Sequence, residues 1–120
     1  MEISTPLFEA IETVSTCLYS LSEEGYEYLD CIPEAINALI YISEEIGVKP
    51  DLATILSRKA KPVTEMTEDE VAHVITALRS SLENPIKAKS VIEDIYSSLI
   101  SITECIPAAI QQPLIAIEAT

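Results

Sequence analysis

The sequence predicts an all-α protein, a compact bundle of five or six helices forming a single domain over residues 1–120. Three observations carry that expectation. Apolar residues recur at spacings of three and four along most of the chain, the period of a helix with one buried face. Only two glycines are present, and no apolar–polar alternation runs between hairpin turns, so strands have little to form from. The stretch Cys31-Ile32-Pro33-Glu34-Ala35-Ile36 returns as Cys105-Ile106-Pro107-Ala108-Ala109-Ile110. In each copy a proline stands where a first helical turn tolerates it, because the N–H it lacks has no intrahelical partner there.

Taken in order, Ser4 or Thr5 caps a first helix with Pro6 at its start, and Leu7, Ile11, Val14, Leu18 and Leu21 form its stripe. Gly25 is one place where this helix can end, but Tyr28 continues the stripe beyond it, which allows the helix to reach Asp30. A second helix runs from Pro33 to Ile46, with Ile36, Leu39 and Ile40 on its apolar side, and ends at Gly47, a residue suited to the left-handed position after a helix. A short basic segment with Leu52, Ile55 and Leu56 reads as a connector. Thr67 to Glu70 is a capping box opening a fourth helix with Val71, Val74, Ile75, Leu78 and Leu82 on one face.

Asn84 and Pro85 open the fifth and most apolar helix, with Ile92, Ile95, Leu99, Ile102 and Ile106 on its main stripe and Val91, Tyr96 and Ile100 widening it. Such a helix packs between others rather than on one side only. A sixth helix after Pro107 contains Pro113, which should kink or shorten it. Leu18, Leu21 and Tyr28 fall opposite Ile92, Ile95 and Ile102 at the same offset as the two corners. Helices 1–2 and 5–6 are therefore expected to be two related hairpins.

Hydrophobic residues make up 48% of the 120 positions, enough for a real core, yet no uninterrupted apolar run reaches the length that spans a bilayer. The acidic start Met1-Glu2-Ile3-Ser4 lacks the features of a signal peptide, which points to a cytoplasmic protein. Cys17, Cys31 and Cys105 are an odd set without a CxxC pair and are expected to be buried, reduced thiols. With His73 they are too scattered for a zinc site, and no metal or cofactor is expected.

The net charge of −13 is unevenly spread. Residues 1–48 hold ten acidic and no basic side chains, whereas Lys49, Arg58, Lys59 and Lys61 make residues 49–61 basic. A phosphate backbone or an anionic membrane would be repelled by most of this surface, so neither nucleic acid nor a membrane is an expected partner. A protein with a basic surface is.

The residues expected to meet it surround the first corner: Glu23, Glu24, Tyr26, Glu27, Tyr28, Asp30 and Glu34. There tyrosines would supply contact area and carboxylates would steer association. The expected function is non-enzymatic, occluding a basic partner surface as small acidic inhibitors, immunity proteins, antitoxins or anti-defence proteins do. A homo-oligomeric structural or adaptor subunit, joined through apolar surface on helices five and six, is the alternative.

Glu23-Glu24-Gly25-Tyr26-Glu27 has the EExxE form of the all-helical nucleotide pyrophosphohydrolases that MazG typifies, and resembles them over these five residues. The resemblance implies carboxylates holding Mg²⁺ against a triphosphate, and it makes this enzyme class a second alternative. The family's partner motif, ExxD on a facing helix, has no counterpart, since Glu93-Asp94-Ile95-Tyr96 places tyrosine at the second ligand position. No Gly-rich phosphate loop, GxSxG or HExxH is present, and no catalytic residues are assigned.

Overall fold

A computed structural model of the protein describes residues 5–105, apart from the side chains of Tyr26 and of residues 103–105. Five α-helices follow one another: α1 Thr5–Glu24, α2 Ile32–Ile46, α3 Leu52–Arg58, α4 Glu68–Ser80 and α5 Pro85–Cys105. A 3₁₀ segment, Gly25–Cys31, joins α1 to α2, and a single 3₁₀ turn, Val63–Glu65, precedes α4. Among the described residues there is no strand, and no helix is long and apolar enough to cross a membrane. The proposed sixth helix, the second proline corner and with them the duplicated hairpin lie outside the described residues.

The core is the meeting of the stripes. Val14, Leu18 and Leu21 of α1, Leu39 and Ile42 of α2, Leu78 of α4, and Ile92, Ile95, Leu99 and Ile102 of α5 are all essentially inaccessible to solvent. α5 touches α2, α3 and α4, which is why its apolar sector is wider than a single stripe. Val91 and Tyr96 fill its flanks against the same core.

Helix ends follow local chemistry. Gly47 takes φ +75°, and the N–H groups of Gly47 and Val48 donate back to the carbonyls of Glu44 and Ser43 at 3.3 and 2.9 Å, which closes α2. Thr67 and Glu70 form the reciprocal box at the start of α4, at 3.2 and 3.0 Å. Asn84 caps α5 by accepting from the Lys87 N–H.

Three expectations need correction. α1 does not reach Asp30: Gly25 takes φ +66°, open to a residue without Cβ, and the chain passes into a 3₁₀ segment in which Tyr28 is itself non-helical. The change of winding removes Tyr28 from the α1 stripe and leaves it 41% exposed. The cysteines are not all reduced, because Cys17 and Cys31 form a disulfide between α1 and the end of the 3₁₀ segment. Their separation of fourteen positions carries no pairing signal in the sequence, and only the fold-back of the segment brings the two Cα atoms within 5.7 Å.

Finally, α3 is more than a connector. Ile55 is buried, and Arg58 reaches α5 to contact Glu93 at 3.2 Å and Asp94 at 2.6 Å. Glu93 is only 3% exposed and also accepts the Asp51 N–H at 2.7 Å, with the Lys89 ammonium 3.3 Å away. Ser97, one turn further along α5, accepts the Ala60 N–H. The segment is thus docked mainly by polar contacts to a buried carboxylate and a buried hydroxyl, which an apolar periodicity does not reveal.

Candidate functional site

The acidic first corner is built from the last turn of α1, the 3₁₀ segment and the first turn of α2. Glu23 and Glu24 end α1, Glu27, Tyr28 and Asp30 belong to the 3₁₀ segment, and Glu34 opens α2; all six are exposed. The side chain of Tyr26 lies outside the described residues. None of the five carboxylates has an ion-pair partner among the described residues. Their charge is turned outward, and no cation among the described residues offsets it by direct pairing.

Only part of this set shares a concavity. A groove of about 400 Å³ runs between α1 and the first corner. Glu12, Thr13, Thr16 and Ser20 line it from α1, Tyr28 and Glu34 line it from the other side, and both cysteines of the disulfide form part of its wall. Glu23, Glu24, Glu27 and Asp30 do not line it. They form a charged surround on the same corner, able to attract a ligand without touching what enters the groove.

Of the α1 residues that line the groove beyond the expected set, Glu12 is the charged one. It lies one turn beyond Phe8 on the exposed side of α1, and Arg79 of α4 pairs with it while its guanidinium sits 6.0 Å from the centroid of the Phe8 ring. The protein thus already holds one of its own arginines between a carboxylate and an aromatic ring. Across the groove Glu34 and Tyr28 offer the same two chemical groups, engaged by no other described side chain. A helical periodicity search could not find Glu12, since nothing in its spacing distinguishes it from Glu9.

The EExxE stretch does not hold its carboxylates on one helical face. Gly25 breaks the helix inside it, so Glu23 and Glu24 lie on α1 while Glu27 lies on the 3₁₀ segment. Glu93 is already engaged by Arg58, Lys89 and the Asp51 N–H. Among the described residues no three His, Cys, Asp or Glu side chains converge as metal ligands. Comparison with protein families, with curated proteins and with solved structures finds no match for this chain.

Proposed function

We propose that this protein is a binding module that receives a basic side chain of a protein partner in the groove between α1 and the first corner. The observation that carries this reading is that Tyr28 and Glu34 share the groove wall, both exposed and without a partner among the described residues, beneath a surround of carboxylates that likewise have no ion-pair partner there. The arrangement suits an arginine or lysine: carboxylate for the charge, ring face for the cation, and a concave wall to exclude water. Glu23, Glu24, Glu27 and Asp30 act at longer range, raising the association rate. Occlusion of a basic surface by a small acidic protein, as an inhibitor, immunity protein or antitoxin does, is the corresponding biological role. Catalysis has no part in it, and a cytoplasmic location belongs to the same reading.

The test is association with a basic partner, or with an arginine-rich peptide as a probe, followed over ionic strength. Association should slow markedly as the screening length falls from about 30 Å at 0.01 M to about 8 Å at 0.15 M salt. Replacing Glu23 and Glu27 by Gln should lower the on-rate alone, whereas Tyr28→Ala should raise the off-rate by an amount on the order of 2 kcal/mol. Binding indifferent to salt and to these substitutions would sink the proposal.

A second reading has its own observation. Leu52 and Leu56 on α3 and Ile86 on α5 are exposed, Ile86 to 86%. Self-association through α3 and the start of α5 would cover them; α5 is one of the two helices to which the sequence pointed, and α3 is an addition to it. Light scattering coupled to gel filtration distinguishes the readings: a concentration-dependent dimer abolished by Ile86→Glu favours the second.

A further inference from the structure

We propose that the Cys17–Cys31 disulfide is a redox latch that holds the 3₁₀ segment against α1 and so sets the wall of the groove. Its functional consequence rests on the reading of the groove as a binding site; the latch itself does not. The segment Gly25–Cys31 is anchored to the core, through its described side chains, by Leu29 and by Cys31, the latter through the disulfide. Among its described side chains none is fully buried: Leu29 and Cys31 are partly covered, and Glu27, Tyr28 and Asp30 are exposed. Its backbone departs from helical geometry at Gly25 and again at Tyr28, so it does not extend the hydrogen-bonded ladder of α1. At either end it is tied to α1 and α2, which pack directly on each other and share a core that includes Leu18, Leu21, Leu39 and Ile42. Reduction is therefore expected to loosen seven residues and leave the bundle standing.

The sulfurs are placed for exchange. Both cysteines line the open groove, and Cys31 is partly exposed while Cys17 is 3% exposed. A thiolate of a dithiol reductant attacks Sγ of Cys31, the S–S bond breaks, and Cys17 leaves as a thiolate that takes up a proton. The reductant's second thiol then attacks its own sulfur in the mixed disulfide, frees Cys31, which is protonated in turn, and departs as a disulfide. The protein gains two electrons and two protons, and the dithiol loses them. In a cytoplasmic setting, disulfides are usually transient and sensing rather than structural, which fits a latch. The wall it controls is nearby in the chain, since Tyr28 precedes Cys31 by three residues and Glu34 follows it by three. Oxidised protein presents these two together; in reduced protein Tyr28 is released from its position opposite α1.

The test uses the full chain with Cys105→Ser, so that no third thiol can exchange. Hydrogen exchange of the backbone amides is compared before and after treatment with dithiothreitol, with thiols counted by alkylation and mass. The expected result is two thiols appearing on reduction and at least a tenfold rise in exchange within Gly25–Cys31, with α4 and α5 unchanged. Unchanged exchange in the segment, or a rise throughout α1, α2 and α5, would overturn the latch in favour of a passive or a global staple. Cys17→Ser with Cys31→Ser should show the same raised exchange without reductant; if that variant fails to fold, the reduced Cys105→Ser protein alone decides. An arginine-rich peptide binding both redox forms equally, despite the expected change in exchange, would instead count against the groove as its site.

Discussion

Glu93 of α5 accepts the backbone N–H of Asp51 at 2.7 Å from forty-two positions further along the chain, and the same carboxylate pairs with Arg58 at 3.2 Å. One nearly inaccessible side chain thus receives both ends of α3. Asp51 is in turn the cap of that helix, accepting from the N–H and hydroxyl of Thr54 at 2.9 and 2.6 Å. A buried charge is tolerated only while its partners remain, because the penalty of desolvating it is offset by them alone. Arg58→Ala should therefore cost roughly 3 kcal/mol, well above the 0–1 kcal/mol typical of an exposed ion pair. Urea unfolding of Arg58→Ala, Glu93→Gln and the double variant measures the coupling; a cost within the surface range would show that α3 is held by Ile55 alone.

The two helix caps predict a pH dependence. The Thr67 N–H, and after it the Lys61 ammonium, hold the Glu70 carboxyl below its usual range, and the Thr54 hydroxyl and N–H do the same for Asp51. A carboxyl depressed in the folded state contributes stability that is fully present above its unfolded pKa and is lost as pH falls through the folded value. Melting temperature should accordingly drop as the medium is acidified below about pH 4, and Glu70→Ala should flatten part of that slope. At neutral pH, Thr67→Ala should destabilise the protein by about 1 kcal/mol through the lost cap. Parallel pH profiles for wild type and Glu70→Ala would refute the assignment.

Core positions should respond as cavities. Ile95→Ala and Leu99→Ala, both mid-stripe on α5 and no more than 2% exposed, should each cost roughly 2–5 kcal/mol, while Ile86→Ala, on the same helix but in solvent, should stay within about 0.5 kcal/mol. Denaturant midpoints at constant slope provide the measurement. Equal losses at Ile86 and Ile95 would mean that Ile86 is covered in solution, as the self-association reading requires.

The first corner shows where legibility stopped. Its carboxylates and Tyr28 were visible as a cluster because charge and residue type are local properties. Which of them share a groove was not, since a single left-handed glycine at position 25 changes the direction of everything up to Cys31. Tyr28 illustrates the point: the helical period assigns it to the core, and the break at Gly25 returns it to solvent. Glu12 and the disulfide were missed for a related reason, since each acquires its role from a neighbour on another element.

By itself the sequence determined most of the helices, the caps at Gly47, Thr67 and Asn84, and most inward-facing positions, with Ile40 of α2 an exception at 44% exposed, because these depend on interactions between residues three and four apart and on the free energy of burying apolar surface. Val14, Leu78, Ile95 and Leu99 are buried where their spacing put them. Only the tertiary structure decided that Cys17 meets Cys31, that Arg58 and the Asp51 N–H converge on Glu93, and that Tyr28 and Glu34 face Glu12 across a groove. Those are contacts between polar or sulfur groups distant along the chain. Periodicity carries no information about them, and they exist only once burial of the stripes has brought the helices together.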